Sequence, residues 1–458
     1  MRLDVWMEAF DTPVGALERL DDKTMRFTYA DDATPEMRIS VAMPTTDPRQ
    51  PGAGAAYGDA DCVAFFGNLL FEGRELDRVI ASYHLDRDDI AGILFHLGAD
   101  CPGAISITPE GAGPGKRPGI FPDDYEVLHG DHLLAIVRSL HVRGQLPDAE
   151  RNPSPVAGVQ PKLALLVHDG QFYLPLPGSG APTTHILKVA RDNDPTIARH
   201  EAALLGLAAS IGIDTAETRL VTFPDPETST EIEAVLSTRF DRTFDGRLVR
   251  RIHSEDFCQA LGLARSLKYE RDAAPDAPGR FSAAAVGRLS RATMVPALFQ
   301  TGFLRQTLFN LAVGNTDNHA KNATLLHAGA HPVLAPLYDV TPVTMDARYT
   351  HELAFRLGGA AFAEDVTEAG LLAAMSDLGF VRPKLDRGLI GLLRNVAGGV
   401  PMLARLGGKL LGDGVAAQLG VVEVALGRDL KVPPRDYFPR KVRDEIAHGH
   451  RGGWGTLS

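Results

Sequence analysis

The chain has 458 residues, 44% of them apolar, 23% charged and 7% aromatic, with a formal net charge of −11. That length exceeds one compact core and predicts two or three domains of ordinary globular composition. The acidic balance excludes nonspecific nucleic-acid binding by the whole surface, which needs Lys and Arg in excess. A local basic patch near Arg435, Arg440, Lys441 and Arg443 stays open.

Cys62, Cys101 and Cys258 are far apart, odd in number and without CxxC or Cys/His metal spacing. They read as buried, apolar-like residues of a reducing compartment. The start "MRLDVWMEAF" carries acids where a signal peptide needs an apolar core, and no uninterrupted span reaches membrane length. A cytoplasmic protein without a membrane partner is expected.

Residues 1–105 alternate as strands in "MRFTYA" and "MRISVAMP" and show helical periodicity in "RELDRVIASYHL" and "DDIAGILFHLGA". A Pro/Gly-rich linker, "PEGAGPGKRPGIFPDD" (109–124), follows. It imitates a phosphate loop, but Glu110 stands at the first glycine of GxxxxGK(S/T) and Arg117 at its Ser/Thr, which excludes that reading.

From about 155 to 240 strands dominate. "KLALLVHDGQFYLPL" predicts a hairpin turning at Asp169-Gly170, and "THILKVA" a third strand. The helix "PTIARHEAALLGLAASIG" follows, and then "EAVLSTRFDR", a strand running into a charged corner. Beyond 250 helices prevail in "SEDFCQALGLA", "LFQTGFLRQTLFNLAVG", "EAGLLAAMSDLG" and the run from about 383 to 427. The segment "DAAPDAPGR" (272–280) is read as an exposed loop, and the tail "HGHRGGWGTLS" as disordered rather than metal-binding.

One stretch carries chemistry. In "LFNLAVGNTDNHAKNATLL" an apolar run stops at Gly314, gives way to a nearly all-polar loop and then resumes. Asp317 and Asn322 are five apart, and Asp339 follows two predicted strands, "ATLLH" and "VLAPLYDV". Phosphoryl transfer from ATP needs a carboxylate near the accepting hydroxyl and further oxygen ligands for Mg²⁺. In protein kinases the catalytic loop has the same Asp-to-Asn step, and the metal-binding Asp lies beyond a short hairpin. The plain alternative is that Asp317 caps a turn, Asn322 bonds a loop backbone and Asp339 starts an Asx turn. His319 would contact a phosphate or merely hold the loop.

A kinase makes demands upstream. Lys188, on the predicted third strand among Ile186, Leu187 and Val189, meets the need for a phosphate-binding lysine, with snorkelling from an edge strand as the alternative. Glu201, thirteen residues later on the helix, would pair with it. "PVAGVQPKLAL" (155–165) has a single glycine, Gly158, and is weak as a glycine-rich loop. Backbone amides of a tight turn at Ala157 to Gln160 would still cradle an anion, with Lys162 adding charge, so that Val156, Ala157, Gly158 and Lys162 are the candidate nucleotide-binding residues here. At "STRFDR" (237–242) the backbone would meet adenine and Asp241 would bind ribose. Otherwise Arg239, Asp241 and Arg242 form a surface ion cluster, worth little stability.

Together "VAGVQPKL", "HILKVA", "RFDR", "EDFCQALG", "GNTDNHAKN" and "LYDV" resemble the HipA family, kinase toxins of bacterial toxin–antitoxin pairs. "VGALERL", "FFGNLLFEGRELDRV" and "LGADCPGAISI" resemble that family's N-terminal subdomain. The resemblance implies an α+β, bilobal protein-kinase-like fold. The division would be an N-terminal subdomain (1–110), a linker and connecting helix (111–150), a β-rich small lobe (151–245), a helical large lobe (246–440) and a tail (441–458).

It further implies transfer of the ATP γ-phosphate to Ser or Thr of a protein, and neutralisation by a HipB-like helix-turn-helix antitoxin. Operator DNA would be met mainly through that antitoxin. Lys188 would hold phosphates, Asp317 would be the catalytic base, and Asn322 and Asp339 would bind Mg²⁺. His319 and Tyr338 would line the nucleotide site, with Phe240 and Asp241 at adenine and ribose. The implied substrate class is the aminoacyl-tRNA synthetases, with arrest of translation and growth.

One departure stands out. Where the family commonly has an autophosphorylated serine before V-A-G-x-Q, this chain has Pro155, with Ser154 one place earlier. Self-inactivation is therefore expected either at Ser154 or not at all. Two other functions fit some of the residues: a small-molecule kinase of the aminoglycoside phosphotransferase type, and a catalytically silent co-repressor acting with an antitoxin.

Overall fold

The computed structural model describes residues 1–46, 54–71, 74–147, 160–225, 227–274, 277, 279–436 and 442–443. Val156, Ala157, Gly158, Ser154, Pro155 and the tail beyond Arg443 lie outside them.

Strands β1 (Arg2–Met7), β2 (Gly15–Arg19), β3 (Met25–Tyr29), β4 (Ala56–Tyr57) and β5 (Ile105–Pro109) form an antiparallel sheet in the order β4-β3-β2-β1-β5. Period-two alternation sends Leu3, Val5, Phe27 and Ile105 inward against helices α1 (Asp59–Leu69), α2 (Arg74–Ser82) and α3 (Ile90–Leu97). "MRISVAMP" is not a strand; its Met37 ends a 3₁₀ turn (Pro35–Met37), and an isolated bridge joins Ser40 and Met43. The backbone groups a neighbouring strand would pair are already taken. Ile39 N–H donates to the Tyr29 hydroxyl, Val41 N–H donates to Glu255, and the Ile39 carbonyl meets His253.

Much of the stretch read as a linker belongs to the next unit. β6 (Gly119–Ile120), β7 (Tyr125–Val127) and α4 (Gly130–Arg143) precede β8 (Lys162–His168), β9 (Gln171–Pro175), β10 (His185–Val189), α5 (Ile197–Ser210), β11 (Thr218–Pro224) and β12 (Glu231–Thr238). The sheet order is β11-β12-β10-β8-β9-β7. Asp169 (φ 48°) and Gly170 (φ 76°) make the hairpin turn, both left-handed as a primed turn requires. β11 escapes sequence reading because it is an edge strand whose side chains are mostly exposed or half-buried.

α4 lays Leu133, Ile136, Val137 and Leu140 on one face of this sheet, against Leu163, Leu165, Leu187 and Val189. Alternation then turns Lys188 to the opposite face. There α5 packs, with Ala198 against Val235.

The remainder is mostly helical. β13 (Arg242–Phe244), β14 (Leu248–Arg251) and β15 (Ser254–Asp256) lead into α6 (Phe257–Ala260), α7 (Ala283–Leu289) and α8 (Pro296–Val313). The hairpin β16 (Thr324–Leu326) and β17 (Val333–Leu334) and helices α9 (Glu368–Asp377), α10 (Arg387–Leu406) and α11 (Lys409–Leu426) follow. "SEDFCQALGLA" thus begins as a strand, because Ser254 to Asp256 pair with Leu326 to Thr324. Asp256 then starts α6 with a capping box to Gln259.

Against expectation, α10 is long and apolar enough to cross a membrane by length and composition. Its buried side, Leu392, Leu393, Val396, Val400 and Leu403, packs into the core shared with α5, α8 and α11. All three cysteines are buried and free.

Candidate active site

α8 delivers the polar loop. Its last turn is buried, and it stops at Gly314, whose φ of 75° is left-handed and whose N–H caps the Asn310 carbonyl. A Cβ at Gly314 would lie 2.0 Å from Thr344 Oγ1, so no other residue fits. The loop then folds on itself. Asn315 donates from Nδ2 to Asn310 Oδ1 (2.9 Å), and its own Oδ1 accepts from Asp317 N (3.2 Å). Asn322 Nδ2 donates to the Asp317 carbonyl at 2.8 Å. Asn322 therefore does bond loop backbone, and that bond leaves its Oδ1 as the atom suited to a metal.

Lys188 stands between two carboxylates. Its Nζ is 2.6 Å from Glu201 Oε1 on α5 and 2.6 Å from Asp339 Oδ1 beyond β17. Burial disfavours the ammonium, but Asp339 and Glu201 outweigh it and hold the lysine above its ordinary range. Asp339 is pushed up by burial and pulled down further by Lys188, so it stays charged. Burial raises Glu201 despite Lys188. Glu201 Oε2 has no hydrogen-bond partner among the described residues. Asp339 sits at φ 57°, a left-handed conformation that Asp tolerates and that recurs at functional sites.

Lys162 lies directly opposite Lys188 in the β8–β10 register. Cross-strand partners share a face, and like charges so placed repel. Glu201 and Asp339 offset that repulsion. Lys162 also lowers the pKa of both Glu201 and Asp339.

Burial lifts the Asp317 carboxyl to about 6, although the Tyr269 hydroxyl donates to its Oδ1 and pulls the other way. The Tyr269 ring is buried, lies edge-on to His319 at 5.0 Å and carries the Arg271 guanidinium 3.8 Å above it. Tyr269 is 48 residues from Asp317 and was not singled out by the sequence. A lone tyrosine in "RSLKYERD" gives no spacing signal. His319 is driven well below its ordinary pKa by burial, with Lys268 and Lys321 adding to it, so its ring is neutral at pH 7. Its buried Nδ1 lacks a partner among the described residues.

Tyr338 packs its ring 5.4 Å from Phe240, and its hydroxyl donates to the Lys321 carbonyl. Arg239, Asp241 and Arg242 are not a surface cluster. All three side chains are almost wholly covered, with Asp241 held by Arg239 (2.9 Å) and Arg242 (2.7 Å). Burial alone would raise Asp241, but the two arginines keep it well below the usual carboxylate range. Lys116, from the excluded phosphate loop, pairs with Asp100 at 3.1 Å.

Among the described residues no group of three or more His, Cys, Asp or Glu could hold a metal by itself. Mg²⁺ often takes only one or two protein oxygens, completing its shell with water and substrate phosphates. Asn322 Oδ1 and Asp339, whose side chain is 39% exposed, are the oxygen donors available for such a partial site.

Residues 3–108 match the HipA N-terminal domain and residues 154–385 the HipA-like C-terminal domain. The chain belongs to the HipA family. Y4mE of Sinorhizobium fredii is 32% identical over 352 residues, covering 76% of this chain and 80% of that protein. The serine/threonine-protein kinase toxin HipA of Shewanella oneidensis is 28% identical over 344 residues, 72% of this chain and 75% of that protein. The solved structure of Shewanella oneidensis MR-1 HipA, in complex with HipB and its operator DNA, matches with a TM-score of 0.71 at 23% identity. It covers 93% of this chain and 98% of that one. The expected α+β, bilobal kinase-like architecture is therefore the fold of this HipA-family protein.

Proposed function

We propose that this chain is a serine/threonine protein kinase toxin that transfers the γ-phosphate of ATP to a hydroxyl of a cellular protein. One observation carries the reading: Lys188 of the small lobe meets Asp339 of the large lobe at 2.6 Å while bonded to Glu201 at the same distance. A buried cation shared by two lobes, with a second lysine beside it, suits a triphosphate held in the cleft.

In this reading Lys188 and Lys162 hold phosphate oxygens, and Glu201 keeps Lys188 charged and aimed. Asn322 Oδ1 and Asp339 hold Mg²⁺, which offsets charge on those oxygens when bound. Asp317 Oδ1 accepts from Tyr269, leaving Oδ2 to take the proton of the attacking Ser or Thr hydroxyl. With a pKa of about 6, Asp317 is mostly ionised at neutral pH yet basic enough to receive that proton. Neutral His319 and the Phe240–Tyr338 pair line the nucleotide site, and the buried Asp241 holds Arg239 and Arg242 as well as offering a ribose contact.

Family membership and the toxin name of the Shewanella relative support a role in a toxin–antitoxin pair. The partner would be a HipB-like antitoxin, with operator DNA met mainly through it, in keeping with a net charge of −11. The implied substrate is an aminoacyl-tRNA synthetase in the cytoplasm. Autophosphorylation would fall on Ser154 or be absent.

Phosphoproteomics after induction of the wild type and of Asp317→Asn tests the proposal. New phosphoserine or phosphothreonine sites in the wild type alone are expected. Identical phosphoproteomes, with ATP and Mg²⁺ bound tightly but not turned over, favour the silent co-repressor instead.

A further inference from the structure

We infer that Lys321 is a positioning residue through which the N-terminal unit sets the shape of the catalytic loop. The inference rests on the kinase reading for its catalytic meaning, but not for its structural basis.

Lys321 immediately precedes Asn322 in the loop, yet its ammonium is committed elsewhere. Nζ donates to the Asn68 carbonyl (3.0 Å), to Asn68 Oδ1 (3.1 Å) and to Asp256 Oδ2 (2.7 Å). Three protons meet three oxygens, so the side chain, 8% exposed, has no donor left for a phosphate. Two of those oxygens belong to the last turn of α1, 253 residues away in the N-terminal unit. At its other end, the Lys321 carbonyl accepts from Tyr338 at 2.9 Å, and Tyr338 directly precedes Asp339. One residue thus joins α1 to the loop bearing Asp317 and Asn322 and to the segment bearing Asp339.

The acceptors are themselves fixed. Asn68 Nδ2 donates to the Ala64 carbonyl (2.7 Å) and across to the Leu263 carbonyl (2.9 Å). Asp256 Oδ1 caps α6 through Gln259 N at 2.9 Å, and Gln259 Nε2 returns to the Phe65 carbonyl at 3.2 Å. Next to Asp256, Glu255 accepts from Ser40 Oγ (2.6 Å) and Val41 N (3.0 Å). The N-terminal unit therefore grips the β15–α6 segment, and β15 pairs with β16, the strand that leaves the loop. Asp256 supplies the counter-charge, and Asn68 Oδ1 fixes the direction of the ammonium; without that oxygen a buried N–H is left unpaired, which disfavours the present position. Losing Asn68 Oδ1 should release Lys321, and with it the mutual alignment of Asp317, Asn322 and Asp339.

The test compares the full-length wild type with Asn68→Ala, Lys321→Met and their combination. Transfer from ATP, calorimetric affinity for ATP–Mg²⁺, melting temperature and amide hydrogen exchange are measured for each. For Asn68→Ala and Lys321→Met we expect kcat to fall about 10²-fold while nucleotide affinity stays within about threefold. The combination should be no worse than Lys321→Met alone.

Exchange over residues 315–322 should quicken roughly tenfold in Asn68→Ala, without matching change in α8 or α10. Wild-type kcat in Asn68→Ala, or losses that simply add, overturns the inference. A wild type that transfers no phosphate defeats the kinase reading. The exchange arm still decides the coupling then, and unchanged protection over the loop refutes it.

Discussion

Lys188 and Asp339 are 151 residues apart in the chain, yet Nζ and Oδ1 meet at 2.6 Å. The contact ties β10 to the segment after β17, and through Glu201 it extends to α5. In the proposed kinase, a phosphate bound by Lys188 would compete with Asp339 for the ammonium and free Asp339 to turn toward a metal.

Removing this cation should cost both stability and activity. Lys188→Met leaves Glu201 buried without its hydrogen-bonded cation, and breaking a buried pair from one side costs about 3–5 kcal/mol. Urea unfolding should show that loss, and phosphate transfer should vanish. Adding Glu201→Leu should restore most of the stability and none of the transfer. A stable, active Lys188→Met contradicts the assignment.

The pH dependence follows from Asp317. Its carboxyl is raised by burial from 3.8 to about 6, so kcat should climb as pH rises through about 6 and level off above. The stability effect has the opposite direction. Between the unfolded value and the folded one the native state holds the extra proton, so this group's contribution is present at low pH and is lost as pH rises through about 6. Asp317→Asn should therefore abolish transfer while raising the melting temperature more at pH 8 than at pH 5. An equal shift at both pH values would falsify the buried, proton-retaining state.

Tyr269→Phe removes the hydroxyl that donates to Asp317. The carboxylate loses orientation and a bond that lowers its pKa, so the acid limb of the kcat profile should move to higher pH. The plateau should drop about tenfold, at the lower end of what one positioned hydrogen bond contributes at an active site. An unshifted limb separates the tyrosine from the base.

Asp241→Ala would strand Arg239 and Arg242, both buried, and should destabilise by about 3–5 kcal/mol in urea titrations. Loss of nucleotide affinity with unaltered stability would mean that ribose contact, rather than charge neutralisation, is the main task of Asp241.

Local chemistry explains which features were legible in the sequence. The Asp169-Gly170 turn, the end of α8 at Gly314 and the Lys188 strand are each set by neighbours within a few residues, through turn geometry and alternation. The spacing of Asp317, Asn322 and Asp339 could be read because loop and hairpin hold them close in sequence. Tyr269, Asn68 and Arg239 could not be read, because their partners come from elsewhere in the fold or, for Arg239, because burial alone changes its meaning. "MRISVAMP" misled for a related reason: its alternation reports burial of Met37, Ile39 and Met43, while its hydrogen bonds go to side chains rather than to a neighbouring strand.

The most direct measurement is a crystal structure of the full chain with a non-hydrolysable ATP analogue and Mg²⁺. Lys188 Nζ should lie within hydrogen-bonding distance of a phosphate oxygen, a metal should be ligated by Asn322 Oδ1 and Asp339, and Asp317 Oδ2 should face the γ-phosphate. A nucleotide bound away from these four side chains, or a metal held by neither Asn322 nor Asp339, would contradict the kinase reading.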